Sequence, residues 1–585
     1  MIKSFITRVY ENEYLIVAIY LLLNAIFFST LLNFGNFADD AYNSQVRGSL
    51  LFQDISLYER TINEIKGWFF GAGRVFFLNW VWIYSLFYFI NDTFYIKAIG
   101  LSLLISNFFI FYLIIKNITK SKEFSLMILL AFPLIIQFRN YHDPVLTYAF
   151  MIPLQFLLIQ ISLYLFLKYQ FYKSYVINFI IVFLYSLALS IYELGYLFCF
   201  LFFYLNYFKN NNFYLSLKLS LPFILISFTY ILITLFMKYI FIDGSGTYPG
   251  SNFHLNNILI FFKAFIIQLA ASFPGINFFN SNKNLIFTLM DLLKLFSLFA
   301  IIYQFNLFIH KKININNSKL AISAIFLVFI PAFIVSLSGH QEELVVNGFG
   351  FSYLSVFFQY FGIVIALLIL INFLKRFLDN NFLFYFFTII FIFLFITNIG
   401  LNNKVLRDNN ELYKYPRDIL FESYKYGLFN ELENNDYLFR FMLYPSDYHW
   451  SYATITGLKL KTCELSKIDQ KSIDGGNNYL DCINELLIKV NNKNFFKNQK
   501  VWVLAINTDG KYGVDGRSIL AKINSIELDD NQDILSINVN QIRYFDLASK
   551  KIEVINLDSE FNFKNITDER YLKIKDTKKL FFIKH

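Results

Sequence analysis

The sequence predicts a mainly α-helical, polytopic membrane protein: a transmembrane bundle of about 11 to 13 spans with a soluble C-terminal α/β or α+β domain. Its 585 residues are 56% hydrophobic and 21% aromatic, with a mean hydropathy of +0.48. Only 16% are charged, whereas a soluble chain is about one-quarter charged. This composition excludes a soluble enzyme, a nucleic-acid-binding protein and a disordered chain.

The charge is unevenly distributed and divides the chain in two. Of 51 basic and 42 acidic residues, 27 and 26 lie in residues 401–585. The charge-poor residues 1–400 form the predicted transmembrane body, and residues 401–585 form the predicted extracytoplasmic domain. Periodicity in this domain predicts helices and short strands. The helices are expected at 411–441 and 478–492, and the strands at 501–506, 534–539, 542–545 and 552–555.

Apolar runs of about 17 to 25 residues mark the predicted spans. The runs at 123–138 and 194–208 are short, and polar residues and a proline interrupt the run at 253–273. This interruption favours a re-entrant or interfacial helix. The remaining runs lie at 14–34, 75–91, 94–115, 145–167, 175–192, 219–242, 285–309, 319–337, 352–374 and 381–400.

Lysine and arginine residues predict the orientation of these spans, because cytoplasmic loops carry an excess of them. Lys3 and Arg8 precede the first span, which places the N-terminus in the cytoplasm and the loop 35–74 outside. From Lys116 onward every span alternates correctly if the lysine-rich loops are cytoplasmic. Two full spans within 75–115 would put Lys116 outside. Two explanations remain open: one of these helices does not cross fully, or the loop at Lys116 breaks the rule.

The first external loop carries the motif with the most chemical content. Asp39 and Asp40 follow the first span directly, residues 41–66 predict short helices along the membrane surface, and Arg74 precedes the second span. A carboxylate at the outer membrane boundary can act as a general base on a sugar hydroxyl. An arginine at the same boundary can hold a phosphate. The alternative is that the aspartates cap a surface helix and Arg74 extends to the interface.

This layout resembles the GT-C superfamily of polytopic membrane glycosyltransferases, which carry an acidic motif in a large first external loop and often end in an extracytoplasmic domain. The segment Asp39-Asp40-Ala41-Tyr42, followed by Gly73-Arg74, resembles bacterial serotype-converting glucosyltransferases that decorate O-antigen. Two further segments resemble recurrent GT-C features, namely the stretch from Ala131-Phe132-Pro133 to Asp143 and the pair Tyr192-Glu193. The resemblance covers about residues 1–400 and leaves the tail unmatched.

The resemblance implies an inverting transfer of a sugar, with glucose as one candidate, from a polyprenyl-phosphate donor to a surface glycan such as the O-antigen of lipopolysaccharide. The reaction is expected at the outer face of the bacterial cytoplasmic membrane. Asp39 or Asp40 corresponds to the catalytic base, with a slight preference for Asp40, and Arg74 to a contact with the donor phosphate. The sequence lacks a run typical of metal-dependent oligosaccharyltransferases, so neither a metal nor a cofactor is expected.

A second polar cluster consists of Arg139, His142 and Asp143. It is expected either to contact the donor or acceptor or to be an ordinary interfacial loop. Glu193 stands alone in an apolar region, and a buried carboxylate there calls for a partner such as Arg74 or Arg139.

Three further sets of residues carry open expectations. Asp291 and Lys294 are spaced to pair with each other. The segment 340–343 either binds sugar hydroxyls or is a solvated loop. Cys463 and Cys482 either form a disulfide or stay separate thiols.

Two other functions remain open at this point. An O-antigen or capsule polymerase or ligase would carry arginine-rich external loops, whereas the external loops here are rich in acids. A lipid-linked oligosaccharide transporter would carry polar groups at mid-membrane and internal repeats, and neither is evident. The identity of the bound lipid separates the functions, since a polyprenyl monophosphate sugar favours the glycosyltransferase and a pyrophosphate oligosaccharide favours the polymerase or ligase.

Overall fold

A computed structural model provides the fold of the chain. It describes residues 12–139, 142–169, 174–241, 258–276, 284–311, 313, 315–338, 354–440, 449–464, 500–507, 517–528 and 534–562. The predictions for Lys3, Arg8, the segment 340–343, Cys482 and the helix at 478–492 fall outside these residues.

Helices dominate the described part of the chain, and eight of them are long and apolar enough to cross a membrane. Every predicted apolar run overlaps a helix, so the prediction of a mainly helical membrane protein is confirmed. The helices are α1 (Glu13–Phe28), α2 (Asp39–Asn43), α3 (Val46–Gln53), α4 (Leu57–Ala72), α5 (Phe77–Phe89), α6 (Thr93–Thr119), α7 (Lys122–Ile135), α8 (Met151–Tyr169), α9 (Tyr175–Leu189), α10 (Cys199–Asn210), α11 (Phe213–Phe241), α12 (Ile258–Ala270), α13 (Asp291–His310), α14 (Asn317–Ser336), α15 (Val356–Leu374), α16 (Asn380–Asn409), α17 (Tyr415–Lys425) and α18 (His449–Thr456).

The candidate spans are α1, α6, α8, α11, α13, α14, α15 and α16, and α5, α9 and α12 are shorter apolar helices. Helix α5 has 13 residues, or about 20 Å at 1.5 Å per residue. The hydrocarbon core of a bilayer is about 30 Å thick. Helices α7, α9 and α10 are similarly short, with 14, 15 and 12 residues, so the two explanations for Lys116 both stay predictions.

Polar residues at the loop ends start several of these helices. A side-chain oxygen in front of an apolar run accepts a backbone N–H that the first turn leaves without a partner. Ser121 caps α7 in this way by accepting from the backbone of Phe124. The same bond starts α1, α6, α9 and α14, where the capping residues are Asn12, Asp92, Ser174 and Asn316.

The described residues divide into two compact units. The first unit takes residues up to Phe34 together with Tyr58–Arg407, and the second takes Gly35–Leu57 together with the chain from Asp408. The segment 35–57 of the predicted external loop is therefore part of the second unit.

Helix α7 is the central element of the first unit, since its residues from Glu123 to Ile135 are all buried. Pro133 lies within it and cannot donate to the carbonyl of Leu129. The Asn24 side chain on α1 donates to that carbonyl instead (2.9 Å). An unmatched carbonyl is costly where water is absent, so this asparagine makes the proline tolerable.

Phenylalanine side chains fill the space around α7. Phe132 stacks on Phe108 of α6 with ring centroids 4.0 Å apart. Phe361 of α15 packs against Phe132 at 4.8 Å and against Phe156 of α8 at the same distance. Such contacts add dispersion and quadrupole attraction to simple burial, and they tie four helices together.

The second unit contains one mixed sheet. Its strands are β1 (Tyr437–Arg440), β2 (Lys461–Glu464), β3 (Val501–Asn507), β4 (Arg517–Leu528), β5 (Ile534–Asp546) and β6 (Lys551–Asn562), in the spatial order β2-β1-β3-β4-β5-β6. Strand β1 pairs in parallel with β2 and β3, and the other pairs are antiparallel. Trp502 lies in the core of this unit and donates to Asp436 (3.2 Å).

The predicted helix over 411–441 is wrong in its second half. Helix α17 ends at Lys425, and Gly427 follows in the left-handed region with φ +90°. Glycine adopts this conformation without steric cost and so ends the helix. Residues 437–440 form β1 instead. Strands β2 and β4 were not predicted. The predicted strands at 534–539 and 542–545 are parts of one strand, β5.

The segment 35–57 is built into the second unit by hydrogen bonds to α18. Thr454 accepts from the backbone of Gly48 (3.0 Å) and donates to the backbone carbonyl of Gln45 (3.2 Å). Helix α3 therefore packs along α18, and the residues just before it, including Asp39 and Asp40, are held in this unit.

Candidate functional site

Asp39 and Asp40 open the short helix α2 after a strained turn. Ala38, directly before them, has φ +50° and ψ −134°, a conformation that residues other than glycine rarely adopt. Such a position costs about 1–3 kcal/mol and is found most often where function requires it. The turn is closed by hydrogen bonds from Asp40 and Ala41 to the carbonyls of Phe37 and Ala38 (3.2 and 3.0 Å).

The two carboxylates have different surroundings. Asp39 is exposed, whereas Asp40 is fully buried. Although the Asp39 side chain remains accessible, desolvation by the surrounding protein and the neighbouring charge of Asp40 raise its pKa to about 6. A carboxylate with such a pKa is largely ionised at neutral pH and is a stronger base than an ordinary aspartate.

A π-helical turn over Asn410–Lys414 contacts the residues that precede Asp39. The Gly35 N–H donates to the Asn410 side chain (3.1 Å), and the Phe37 ring packs against Tyr413 with centroids 5.7 Å apart. A side chain at Gly35 would lie 2.8 Å from Cβ of Lys414, so only glycine fits there. Single π-helical turns occur frequently at functional sites.

The far end of α2 is anchored by an arginine. Arg417 of α17 donates to the Ser44 hydroxyl, and the Ser44 N–H donates to the Asp40 carbonyl (2.9 Å). This chain of bonds fixes α2 against α17. The orientation of Asp39 and Asp40 is thereby set at both ends of the short helix.

Arg74 and Glu193 form a separate cluster in the first unit. The Nε and Nη2 groups of Arg74 donate to the two carboxylate oxygens of Glu193 at 2.6 and 2.7 Å. The guanidinium carbon also lies 4.2, 5.1 and 5.6 Å from the ring centres of three aromatic side chains, those of Phe76, Tyr192 and Trp68. Of the two partners expected for Glu193, the structure selects Arg74.

This ion pair keeps both groups ionised. Burial acts to raise the pKa of Glu193, but the charge and hydrogen bonds of Arg74 outweigh it and hold the pKa below its ordinary value. Such bidentate pairs are geometrically specific. The pair joins the turn before α5 to the turn before α10, which lie far apart in sequence.

Gly73 makes this approach possible. It adopts φ +64°, and a Cβ atom there would lie 2.5 Å from Cγ and 2.9 Å from the backbone nitrogen of Lys238 on α11. Lys238 is close enough to interact electrostatically with both Glu193 and Arg74. Gly71, two residues earlier, has open space around it and gives a matched contrast.

Arg139, His142 and Asp143 lie in one loop, and their hydrogen bonds hold the loop itself. The Asp143 carboxylate accepts from the backbone of Arg139, Val145 and Leu146 at 3.0, 2.7 and 3.0 Å. Burial raises the pKa of Asp143 to about 6, against the charge of Arg139 and these donors. The Arg139 guanidinium donates to the Ala271 carbonyl, and His142 hydrogen-bonds Tyr148. Their contact with a donor or acceptor stays a prediction.

The loop then enters α8 through an unusual turn. Tyr148, Ala149 and Phe150 all have positive φ, between 49° and 59°. Three groups hold this left-handed turn. Trp82 donates to the Ala149 carbonyl (2.7 Å), and the buried Lys97 donates to the Leu146 carbonyl (2.6 Å). Gly100 leaves room for the Phe150 ring, which a Cβ atom would meet at 2.2 Å.

Sequence reasoning missed several residues of these clusters. The supporting roles of Lys97, Trp82 and Arg417 depend on partners distant in the chain, and no local pattern indicates them. The pairing of Asp291 with Lys294 is confirmed, at 2.8 Å, because a spacing of three on a helix puts both side chains on one face.

No three His, Cys, Asp or Glu side chains among the described residues could together hold a metal ion. Cys463 lies in β2, but its expected partner Cys482 is outside the described ranges. The sequence matches no protein-family model and no curated protein.

Proposed function

We propose that this protein is a membrane glycosyltransferase that moves a sugar from a polyprenyl-phosphate donor to a surface glycan. The observation that supports this most directly is Asp39. It is an exposed carboxylate with a pKa raised to about 6, placed behind a strained residue directly after the first membrane helix. Strain, exposure and a perturbed pKa occur together at functional sites more often than elsewhere.

Asp39 is the proposed general base, and its exposure favours it over the buried Asp40. It accepts the proton of an acceptor hydroxyl as that oxygen attacks the anomeric carbon of the donor sugar. The bond between this carbon and the phosphate oxygen breaks with inversion, and the lipid phosphate leaves with the electron pair. Asp40 does not contact the substrates in this mechanism. Desolvation raises the Asp39 pKa most, and the neighbouring charge of Asp40 raises it further, which strengthens the base.

Arg74 stays a proposed contact for the donor phosphate. Two N–H groups of Arg74 donate to Glu193, and its guanidinium also interacts with Tyr192. The carboxylate therefore fixes the guanidinium in place and offsets its charge in the absence of a ligand. Arg139, His142 and Asp143 are secondary candidates for substrate contact.

The buried charges in the spans have structural explanations that do not require transport. Lys97 donates to the Leu146 carbonyl. Lys294 pairs with Asp291 and donates to Thr30 at 2.7 Å. Ionisable groups inside a membrane often mark an ion or substrate pathway, but each of these contacts a polar group that joins two segments of the chain. This supports the enzyme over the transporter.

The proposal includes a location and an orientation. We place the protein in the cytoplasmic membrane of a bacterium, with the N-terminus in the cytoplasm and Asp39 at the outer face. Single cysteines introduced at Asp54 and at Lys120, in a protein whose three native cysteines are replaced by serine, test the orientation in intact cells. A membrane-impermeant maleimide is expected to label the cysteine at 54 and spare the one at 120, and the reverse pattern contradicts it.

Substitution of the base tests the reaction. Purified protein in liposomes is given glycan acceptor and a panel of hexosyl polyprenyl monophosphates, and the transferred sugar is measured. Asp39→Asn is expected to lower transfer by at least about 100-fold, since a positioned base contributes about 10² to 10⁴, with no loss of thermal stability. Asp54→Asn is the matched control, because Asp54 is an exposed aspartate of the same unit that pairs with Lys459.

Two outcomes contradict the proposal. The first is a fully active Asp39→Asn protein, which removes the proposed base; full activity of Asp40→Asn as well would exclude the aspartate motif altogether. The second is mass spectrometry of lipids bound to the purified protein that finds only pyrophosphate-linked oligosaccharides. That result favours a polymerase or ligase.

A further inference from the structure

Asn36 is a buried polar side chain whose hydrogen-bonding groups are not used. It is 3% exposed, and neither its Nδ2 nor its Oδ1 atom has a hydrogen-bond partner among the described residues. Buried amides are almost always hydrogen-bonded, and leaving one unmatched costs free energy. An asparagine kept under such conditions calls for an explanation, and an absent ligand is one.

A second such group lies on the neighbouring segment. Asn409 is also 3% exposed, and its Nδ2 atom has no partner within the described ranges. The hydrogen bond from Gly35 to the Asn410 side chain holds residues 35–36 alongside residues 409–410. Asn36 and Asn409 each lie next in sequence to one partner of this hydrogen bond, and Asn36 lies three residues before the exposed carboxylate of Asp39.

The chemistry of an amide narrows the class of ligand. Its nitrogen only donates and its oxygen only accepts. A phosphate offers acceptors and would leave Oδ1 of Asn36 unmatched, whereas a metal ion would leave Nδ2 unmatched. A hydroxyl group both donates and accepts, so two neighbouring hydroxyls of a sugar ring satisfy both atoms.

We propose that Asn36, with Asn409, binds hydroxyl groups of the acceptor sugar and thereby positions the attacking hydroxyl at Asp39. This inference rests on the proposed function, because it takes Asp39 as the base for that hydroxyl. Neither amide atom of Asn36 touches solvent in this conformation, so binding displaces a covering side chain. The strained residue Ala38 and the short helix α2 follow Asn36 closely in the chain.

The test separates binding from folding. Asn36→Leu keeps the branched shape and the number of heavy atoms of the side chain and removes both unmatched groups, so the Tm is expected to stay the same or rise. The apparent KM for the acceptor is expected to rise by about tenfold or more, since two hydrogen bonds to a ligand contribute about that factor, and kcat to change less. Asn410→Leu is the matched control. It removes an amide that accepts from Gly35, and its Tm is expected to fall.

Three results overturn the inference. An Asn36→Leu protein with unchanged Tm and unchanged KM shows that the amide binds nothing needed for transfer. A fall in Tm equal to that of Asn410→Leu, with kcat and KM otherwise intact, shows that the amide holds a structural water. Equal effects on KM for every acceptor hydroxyl analogue, including deoxy sugars, show that no particular hydroxyl is recognised.

The failure of the proposed function is distinguishable from these results. If Asp39→Asn abolishes transfer and Asn36→Leu is normal, the function stands and only this inference fails. If the wild-type protein transfers no sugar, binding of free glucose, galactose, mannose and rhamnose is measured by saturation-transfer NMR on wild-type and Asn36→Leu protein. Loss of a saturable signal in the variant supports a sugar site, and an equal signal in both, or none in either, overturns it.

Discussion

The Asp39 region and the Arg74 region both contain charged residues that the sequence indicates as functional candidates. They differ in what lies beside the charge: Arg74 has an oppositely charged partner, and Asp39 has a neighbour of the same charge. Arg74 meets a carboxylate with two short hydrogen bonds and is surrounded by aromatic rings. Asp39 has a carboxylate of the same sign beside it, which raises its pKa, and an amide with unused groups lies three residues away. The charge of Arg74 is thus matched within the first unit, whereas the carboxylate of Asp39 lies beside a second carboxylate and is raised in pKa by desolvation and by that neighbour.

The largest expected effect tests the Arg74 side of this comparison. Arg74→Ala leaves Glu193 buried and unpaired, and breaking a buried pair on one side costs about 3–5 kcal/mol. The free energy of unfolding is measured by denaturant titration in mixed micelles. Lys459→Ala, which breaks the exposed pair with Asp54, is expected to cost less than about 1 kcal/mol. Equal costs for the two variants would show that the Arg74 pair contributes no more than a surface contact.

The double variant Arg74→Met with Glu193→Leu sharpens the comparison further. Replacing both partners by apolar side chains is expected to restore most of the stability. A stable double variant that transfers sugar normally assigns the pair to the fold alone. If it is stable but inactive, Arg74 acts on the donor as proposed above.

Substitution of Gly73, which precedes Arg74 of the ion pair, is expected to have a smaller effect on stability. Gly73→Ala is expected to destabilise by about 1–2 kcal/mol for the left-handed backbone alone, and more because the new Cβ meets the backbone of Lys238. Gly71→Ala, on the helical turn just before, has open space and is expected to be neutral or to stabilise by up to about 1 kcal/mol. Thermal unfolding of the two variants tests this, and similar Tm values would contradict it.

The pH dependence of transfer tests the Asp39 side. The base must be ionised, so the rate is expected to be half-maximal near the Asp39 pKa of about 6 and to fall about tenfold for each further pH unit below it. Glu193 has a lowered pKa and does not titrate in this range, but Asp143 has a pKa of about 6 as well, so the profile is assigned to Asp39 if it persists in Asp143→Asn. A rate independent of pH between about 5 and 7, with chemistry rate-limiting, would contradict Asp39 as the base.

The contribution of Asp39 to folding stability is expected to fall as the pH rises, whereas the transfer rate is expected to rise. Folding raises this pKa from 3.8 to about 6, so the folded chain binds the proton more tightly than the unfolded chain. The stabilising contribution is complete below the unfolded pKa and is lost as the pH rises through about 6. Asp39→Asn removes this dependence, and comparing the Tm of both proteins across this range measures it.

The helices of the body were predictable because a membrane forces each span to satisfy its own backbone. Every apolar run overlaps a helix, and the short run at 123–138 corresponds to α7, whose residues from Glu123 to Ile135 are all buried. The pairing of Arg74 with Glu193 was predictable only as one of two options. Nothing in the local sequence distinguishes Arg74 from Arg139 as the partner, since three-dimensional packing decides it.

The second unit was predicted less well. Strand β4 has register shifts around Ile523, and such bulges break the alternation that identifies a strand. The length of α17 was overestimated because apolar residues continue past Gly427 and pack in the core of this unit. Asn36 gave no signal at all, since an asparagine beside a turn is ordinary in sequence and unusual only once its burial is known.

The left-handed turn at Tyr148–Phe150 constrains how this lineage can have diverged. Because Gly100 lies directly under the Phe150 ring, a side chain at position 100 fits only if the residue at position 150 is smaller. Homologues too distant for ordinary sequence comparison are therefore expected to change these two positions together, or to keep both. An ancestral relationship could be traced through that coupled pair even after the surrounding apolar residues have been exchanged for one another.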